Sequence, residues 1–591
     1  MGKMKLLISR LGKLFSMIES PKSKLIFLCL MVFLLSGVEL FSLALVGVYL
    51  GFVVDSTQVM AKLDSFQPMA STYINEMLPL SSQYIIFGII LVGIFLVKLF
   101  FVLYTNVYIF RFSVQQRFLL QAKLVSRYVN QTYESYIQSD AAFSINAAGI
   151  FPKKLSDVIV ALLKLFADGT LVLFVIIFMI SLDFKIFLTL ASIFLSFSIG
   201  YYILLITKAK RYGEQVNLYN TSMIKSLSNI SDGFKEIKIM GKAHFFRDIF
   251  INSVRNIAGI DVKQYLISIA PRNILELLVV TFIVLSVAIT ILFGNNLEET
   301  VLTLGFFSIC SVRLIPLVSQ IILSINTIKY GEDALIHIYR LISNSSQDKN
   351  FEASSIDDTH ENKFVSSMKK IDFMNVSFAY PNKKNIIINE ASFQINSGDF
   401  VGVIGPSGSG KTTLVDILLG LLKPQSGKVV VDGIDIFDDL EGWRSKIAYI
   451  PQEIFLMNDT IRNNILLGED PNSVSKTRLD KVILQSNLKE FIDDLPNGLD
   501  ENVGDNGVSL SGGQRQRVAI ARALYHQKEI LILDEATSAL DTATEEEITG
   551  QFEALKGKKT VICIAHRTST LKSCNKVYSV DNGIITQKNS I

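Results

Sequence analysis

Cysteine is scarce. Of 591 residues only Cys29, Cys310, Cys563 and Cys574 carry thiols, and none stands at CxxC or CxxH spacing. That excludes a disulfide-stapled secreted domain and a zinc ribbon, and the four thiols are expected to be reduced and buried. A cleavable secretory signal is missing too. Residues 6–18 are amphipathic, Lys3, Lys5, Arg10 and Lys13 make the region basic, no small-residue cleavage site follows, and Pro21 ends the stretch. A helix lying in a membrane interface is the expectation there. Arginine-rich tracts and aromatic ladders are absent and the net charge is only +3, so no nucleic-acid partner is expected.

What the chain has in excess is apolar sequence: 50% of its residues are hydrophobic, and the mean hydropathy is +0.39. The excess is confined to the first part. Six runs, near 25–54, 83–110, 155–182, 186–207, 272–293 and 300–328, are long enough to cross a bilayer at about 20 residues per crossing. Lysine and arginine crowd the N-terminus and the loops after the second and fourth runs, whereas 55–82 holds only Lys62 and 294–299 holds none. The positive-inside rule therefore puts both termini and the two long loops in the cytosol. The stretch 69–80 has the spacing of a short helix on the outer membrane surface.

Ionisable residues inside the runs are few and costly. Lys98, Arg272 and Arg313 lie about 24, 31 and 21 Å below the outer ends of their spans at 1.5 Å per residue, in the cytoplasmic half. Glu39 and Glu276 sit at similar depth, and Glu276 is one helical turn from Arg272. Either the cations grip an anionic cargo such as a phosphate or pyrophosphate, or they are neutralised internally; three cations against two acids leave one over. Lys164 and Asp168, at i,i+4, read as a local ion pair.

After a polar linker at 343–366 the period changes, and strand-like runs alternate with helix-like runs over 367–591, the pattern of a mainly parallel α/β domain. A buried-strand run at 399–404 leads into Gly405-Pro406-Ser407-Gly408-Ser409-Gly410-Lys411-Thr412-Thr413 and then the helix-like LVDILLGLL. This is GxxxxGK[ST] in its strand–loop–helix context. Its backbone N–H groups suit the phosphates of ATP, Lys411 adds a point charge, and the Thr412 hydroxyl suits Mg²⁺. A second buried run, 529–533, ends in Asp534 and Glu535, placed to hold Mg²⁺ through water and to act as general base.

Leu510-Ser511-Gly512-Gly513-Gln514 precedes that second run. LSGGQ paired with the phosphate loop resembles the ATP-binding cassette (ABC) family. The resemblance covers the whole chain and implies an exporter half-transporter: an α-helical six-span membrane domain (1–342), a linker (343–366) and an α/β P-loop cassette with a helical subdomain (367–591). It implies a homodimer among membrane lipids, in which Ser511, Gly512, Gly513 and Gln514 close on the partner's ATP. It implies an aromatic for adenine at Tyr380, a Mg²⁺- and water-contacting glutamine at Gln452, a dimer-contact loop at 538–541 and a γ-phosphate histidine at His566. In the loop 503–507, expected to contact the coupling helices, Asp505 stands where the family usually has Glu. Segments 136–148 and 231–241 resemble the coupling helices themselves. Within exporters, Ala270-Pro271-Arg272-Asn273-Ile274-Leu275-Glu276, Arg313-Leu314-Ile315-Pro316 and a cation at Lys98 resemble the PglK-type flippases of lipid-linked oligosaccharides. That implies a polyprenyl-pyrophosphate-linked glycan as cargo, with a multidrug, lipid or peptide exporter as the alternative and an ATP-gated channel as a different class.

Overall fold

The computed structural model describes residues 22–54, 79–138, 140–292, 297–343, 363–364, 366–380, 385–469, 474–535, 542–564 and 571–588. His566, the loop 538–541, the helix expected at 6–18, nearly all of 69–80 and most of the linker lie outside these residues. The chain forms two compact units, one made of 1–131 with 138–353 and the other of 132–137 with 354–591.

The first unit is helical. Its long elements are α1 (Lys22–Val54), α2 (Leu80–Val129), α5 (Phe151–Leu182), α6 (Phe184–Tyr201), α7 (Thr207–Asp232), α9 (Ala243–Leu292) and α10 (Leu297–Ser343). Six candidate membrane spans fall on them, α6 and α7 forming one span of 184–232 through a widened turn at Tyr202–Ile206. At 1.5 Å per residue the 50-residue α9 is about 75 Å long, far beyond a hydrocarbon core of about 30 Å. Close helix packing depends on small residues. A Cβ on Gly213 of α7 would sit 2.0 Å from the Tyr330 carbonyl oxygen of α10, so any larger side chain pushes the two helices apart.

The loop after α2 folds as two short helices, α3 (Tyr133–Gln138) and α4 (Ala141–Gly149). Asp140 starts the second by accepting from the N–H groups of Ala142 and Phe143. Residues 132–137, rather than the whole of 136–148, group with the second unit. The loop after α7 carries α8 (Phe234–Ile239), inside the stretch expected at 231–241. Lys164 and Asp168 form no ion pair within 4 Å among the described residues, although one was expected.

In the second unit β1 (Lys370–Phe378), β2 (Ile388–Asn396), β4 (Ser426–Val431) and β5 (Ile434–Asp435) form an antiparallel sheet in the order β2-β1-β4-β5. β3 (Phe400–Ile404), β6 (Ile447–Ile450), β7 (Ile530–Asp534), β8 (Thr560–Ile564), β9 (Lys576–Asp581) and β10 (Ile584–Lys588) form the second sheet, ordered β10-β9-β3-β8-β7-β6. All its pairings are parallel except β10–β9. β7 and β8 are buried along their full length. Central parallel strands are covered on both faces, which is why ILILD and TVICI read as continuous apolar runs rather than alternating ones.

Candidate functional site

The site gathers at the carboxyl ends of the parallel strands, where open α/β sheets bind ligands. β3 runs into the loop 405–410, and Gly410, at φ +106°, opens helix α11 (Lys411–Leu418). Only a residue without Cβ enters a helix easily from that backbone region. The Lys411 ammonium donates to the carbonyls of Gly405 and Pro406, both at 2.9 Å. The Ser409 hydroxyl is buried without a hydrogen-bond partner, and a Cβ on Gly408 would meet nothing within 4 Å. An orphaned hydroxyl, an open glycine and a helix N-terminus make a cradle fitted to phosphate oxygens.

The register of the sheet brings the acids to this cradle. Ile450 of β6 pairs with Leu533 of β7, so Gln452 arrives opposite Glu535, and its Nε2 donates to Glu535 Oε2 at 2.8 Å. Glu535 has φ +50°, a left-handed backbone that costs a non-glycine residue about 1–2 kcal/mol. That turn takes it out of the strand geometry, while its N–H bonds the Ile564 carbonyl and its own carbonyl accepts from Gln516 Nε2. Asp534 is buried and accepts from the Tyr449 hydroxyl at 3.4 Å. Thr412, Gln452 and Asp534 offer the oxygen donors a hard cation such as Mg²⁺ takes, so the residues present fit it. Bound there, the ion would neutralise charge on the phosphates.

Three residues of the site carried no motif. Asp416 lies on the buried side of α11; burial, reinforced by the Asp534 carboxylate, pushes it up to about 7. Tyr449 is raised well above the phenol range by burial and then by Asp534 and Asp416. Gln516 holds the backbone of Glu535. The one signal in the sequence was a lone acid, Asp416, in the otherwise apolar run LVDILLGLL.

Tyr380 is half-buried against Phe378, edge-on at 5.2 Å between centroids, and its hydroxyl shares a hydrogen bond with Thr413 Oγ1 at 3.3 Å. Tyr133 packs on the same core, with Asp416 and Tyr380 in electrostatic range.

Ser511 caps helix α12 (Gly512–Tyr525): its Oγ accepts from Gln514 N–H, and the Gln514 side chain accepts from Ser511 N–H. As an acceptor in that box, the Ser511 hydroxyl keeps its own proton to donate. Leu510 is buried with Leu456, Ile461, Val518 and Tyr525, whereas Leu414 and Val415 behind the phosphate loop are buried with Ile532 and Ile564. Within one cassette, LSGGQ and the phosphate loop rest on different hydrophobic cores. Asp505 accepts from Asn458 Nδ2 at 2.6 Å, a tie within the same helical part.

In the first unit Lys98 donates to Ser42 Oγ of α1 at 2.8 Å and lies within electrostatic range of Glu39 and Arg313. Arg272 reaches Glu276 at 3.7 Å along α9. Among the described residues Lys98 and Arg313 form no ion pair within 4 Å.

Residues 388–538 match the family model described as ABC transporter. An ATP-dependent lipid A-core flippase of Burkholderia orbicola is 29% identical over 500 residues, 82% of this chain and 80% of that one. The heterocyst differentiation ATP-binding protein HepA of Nostoc sp. is 33% identical over 424 residues, covering 71% and 66%. Among solved structures, a bacterial Atm1-family ABC exporter with ATP bound superposes with a TM-score of 0.74 at 22% identity, covering 96% of this chain and 95% of that one.

Proposed function

Given a chain that belongs to the ABC transporter family, with six candidate membrane helices fused to one cassette that binds ATP and couples its hydrolysis to transport, we propose that it works as a homodimeric flippase. Its cargo is a lipid carrying an anionic linkage, a polyprenyl-pyrophosphate-linked oligosaccharide.

The two cores support the dimer. LSGGQ has its donors at a helix N-terminus that its own cassette packs separately from the phosphate loop, so a second chain supplies the phosphates for it. Lys411, the open loop and the Thr412 hydroxyl bind one ATP. Glu535, positioned by Gln452 and Gln516, is placed to take the proton of the attacking water. Thr412, Gln452 and Asp534 would hold Mg²⁺. His566 would complete the γ-phosphate contacts. Closure of the cassettes is coupled to rearrangement of the spans, and the cytoplasmic membrane is the site of action, with termini and cassette in the cytosol.

The observation that carries the cargo is the pair Lys98 and Arg313, on different spans within electrostatic range and with no acid bonded to either. Glu39 lies in electrostatic range of Lys98 but is bonded to neither cation, and two neighbouring cations in a membrane segment are costly unless a ligand supplies further anionic charge. The relatives named lipid A-core flippases support a lipid cargo and favour the second reading, a lipid without the pyrophosphate linkage. Proteoliposomes holding a lipid-linked oligosaccharide test both. Lys98→Ala with Arg313→Ala is expected to cut flipping by more than ten-fold while ATP binding to the cassette, the control, is retained. Undiminished flipping removes the pyrophosphate reading, and flipping of lipid A-type lipids alone selects the second.

A further inference from the structure

Two of the four cysteines meet. Cys563 is the fourth residue of β8, 1% exposed, and pairs with Gly402 of β3 on one side and Leu533 of β7 on the other. Cys574 follows eleven residues later, half-buried, and its Sγ lies 3.7 Å from that of Cys563. Gly402 makes the room: a Cβ there would stand 3.0 Å from Cys574 Sγ and 2.9 Å from Leu571 Cδ2.

The two thiols are not equivalent. The two thiols share a hydrogen bond in which either sulfur can donate, and this contact with Cys563, helped by the Lys556 ammonium, holds Cys574 below the ordinary thiol range although burial pulls the other way. Cys563 is pushed up by the same bond and by its burial. The accessible member of the pair is therefore the better nucleophile, with a resolving thiol behind it.

We propose that Cys563 and Cys574 form a reversible redox site that slows ATP hydrolysis when oxidised by a low-molecular-weight disulfide. The Cys574 thiolate attacks one sulfur of the small disulfide, the S–S bond breaks, and one small thiolate leaves. Cys563 then loses its proton, attacks the Cys574 sulfur of the mixed disulfide and expels the second small thiolate. Two cysteine thiols are oxidised to one disulfide, and one small disulfide is reduced to two thiols. Bonding needs the sulfurs to close from 3.7 Å to about 2.05 Å. Cys563 is fixed in the middle of the sheet, so the 571–574 segment does the moving. It is drawn onto β3 beside Gly402, three residues before Gly405 of the phosphate loop, and the bond closes a ring of chain that includes His566. Cys563 adjoins Ile564, whose carbonyl accepts from the Glu535 N–H, and Gly402 leads into the phosphate loop, so the neighbours of the bond serve the nucleotide.

The test uses the full chain in lipid nanodiscs, with Cys29→Ala and Cys310→Ala so that only this pair titrates. Oxidised glutathione is expected to produce a cross-linked tryptic peptide pair, 560–567 with 573–576, two hydrogens lighter than the sum of its parts. ATPase is expected to fall at least two-fold in step, dithiothreitol restoring both. Cys574→Ser and Cys574→Ala are expected to keep their ATPase under the same treatment. Only glutathione adducts without the cross-link, a cross-link without slower hydrolysis, or equal inhibition of the Cys574 variants would each overturn the proposal.

Discussion

Replacing Glu535 by glutamine separates chemistry from structure. The Glu535 carboxylate accepts from Gln452 Nε2 at 2.8 Å, and a glutamine at 535 still presents a carbonyl oxygen to that donor. The backbone at 535 is held by Ile564 and Gln516, which the change does not touch. Its φ of +50° burdens both residue types alike, so folding and ATP binding should stay within about two-fold of wild type. What disappears is basicity. General-base assistance contributes about 10²–10⁴-fold, which at 1.36 kcal/mol per decade is roughly 2.7–5.4 kcal/mol of transition-state stabilisation. Steady-state phosphate release in nanodiscs should therefore fall at least about 100-fold. Bound ATP should persist, and the cassettes should stay paired, visible as an ATP-dependent cross-link between copies. Turnover within three-fold of wild type would remove Glu535 from the role of base and leave Gln452–Glu535 as a structural hydrogen bond. Continuous hydrolysis in wild type would also set the protein apart from a channel that ATP merely gates.

Trp443 is the only tryptophan of the chain; it is fully buried, and its indole N–H donates to the Leu418 carbonyl at 2.7 Å, at the end of the helix that follows the phosphate loop. Trp443→Ala should cost the cassette about 3–5 kcal/mol, read as a lower midpoint of thermal ATPase loss. In the wild-type chain the same indole reports cassette unfolding alone, which suits an acid titration of Asp399. Burial alone would raise that carboxyl, but Lys576 at 2.7 Å, the Asn396 N–H and Asn575 outweigh it and hold it below the usual range. Its contribution is complete above the unfolded carboxyl's pKa of about 4 and is lost as pH falls through the lower folded value. Trp443 emission should accordingly show wild type losing stability below about pH 4, and Asp399→Asn should flatten that part of the profile.

Much of this was legible in the order of residues because it is local. Six apolar runs, the strand–loop–helix around Lys411 and the paired acids Asp534 and Glu535 are each specified within a few turns of chain, and the spans and strands stand where the periods put them. The i,i+4 relation of Arg272 and Glu276 is also local, and the pair is there. Lys164 and Asp168 have the same spacing and stay in electrostatic range but form no ion pair within 4 Å, because spacing brings two side chains to one face without fixing where their charged ends turn. The loop 132–149 went differently too: Asp140 caps a second helix, and only 132–137 joins the cassette.

The sequence by itself therefore determined the engine, since cradling a phosphate and spanning a bilayer depend on residue types at short fixed intervals. Tertiary structure decided what meets across long intervals, because that depends on the register of parallel strands. The pairing of β6 with β7 sets Gln452 on Glu535, and the packing of α11 under the sheet brings Asp416 near Asp534. The third case is the cysteines, whose spacing promised nothing. A glycine at 402 on one strand opens the space in which Cys574 comes to rest 3.7 Å from Cys563 on the next.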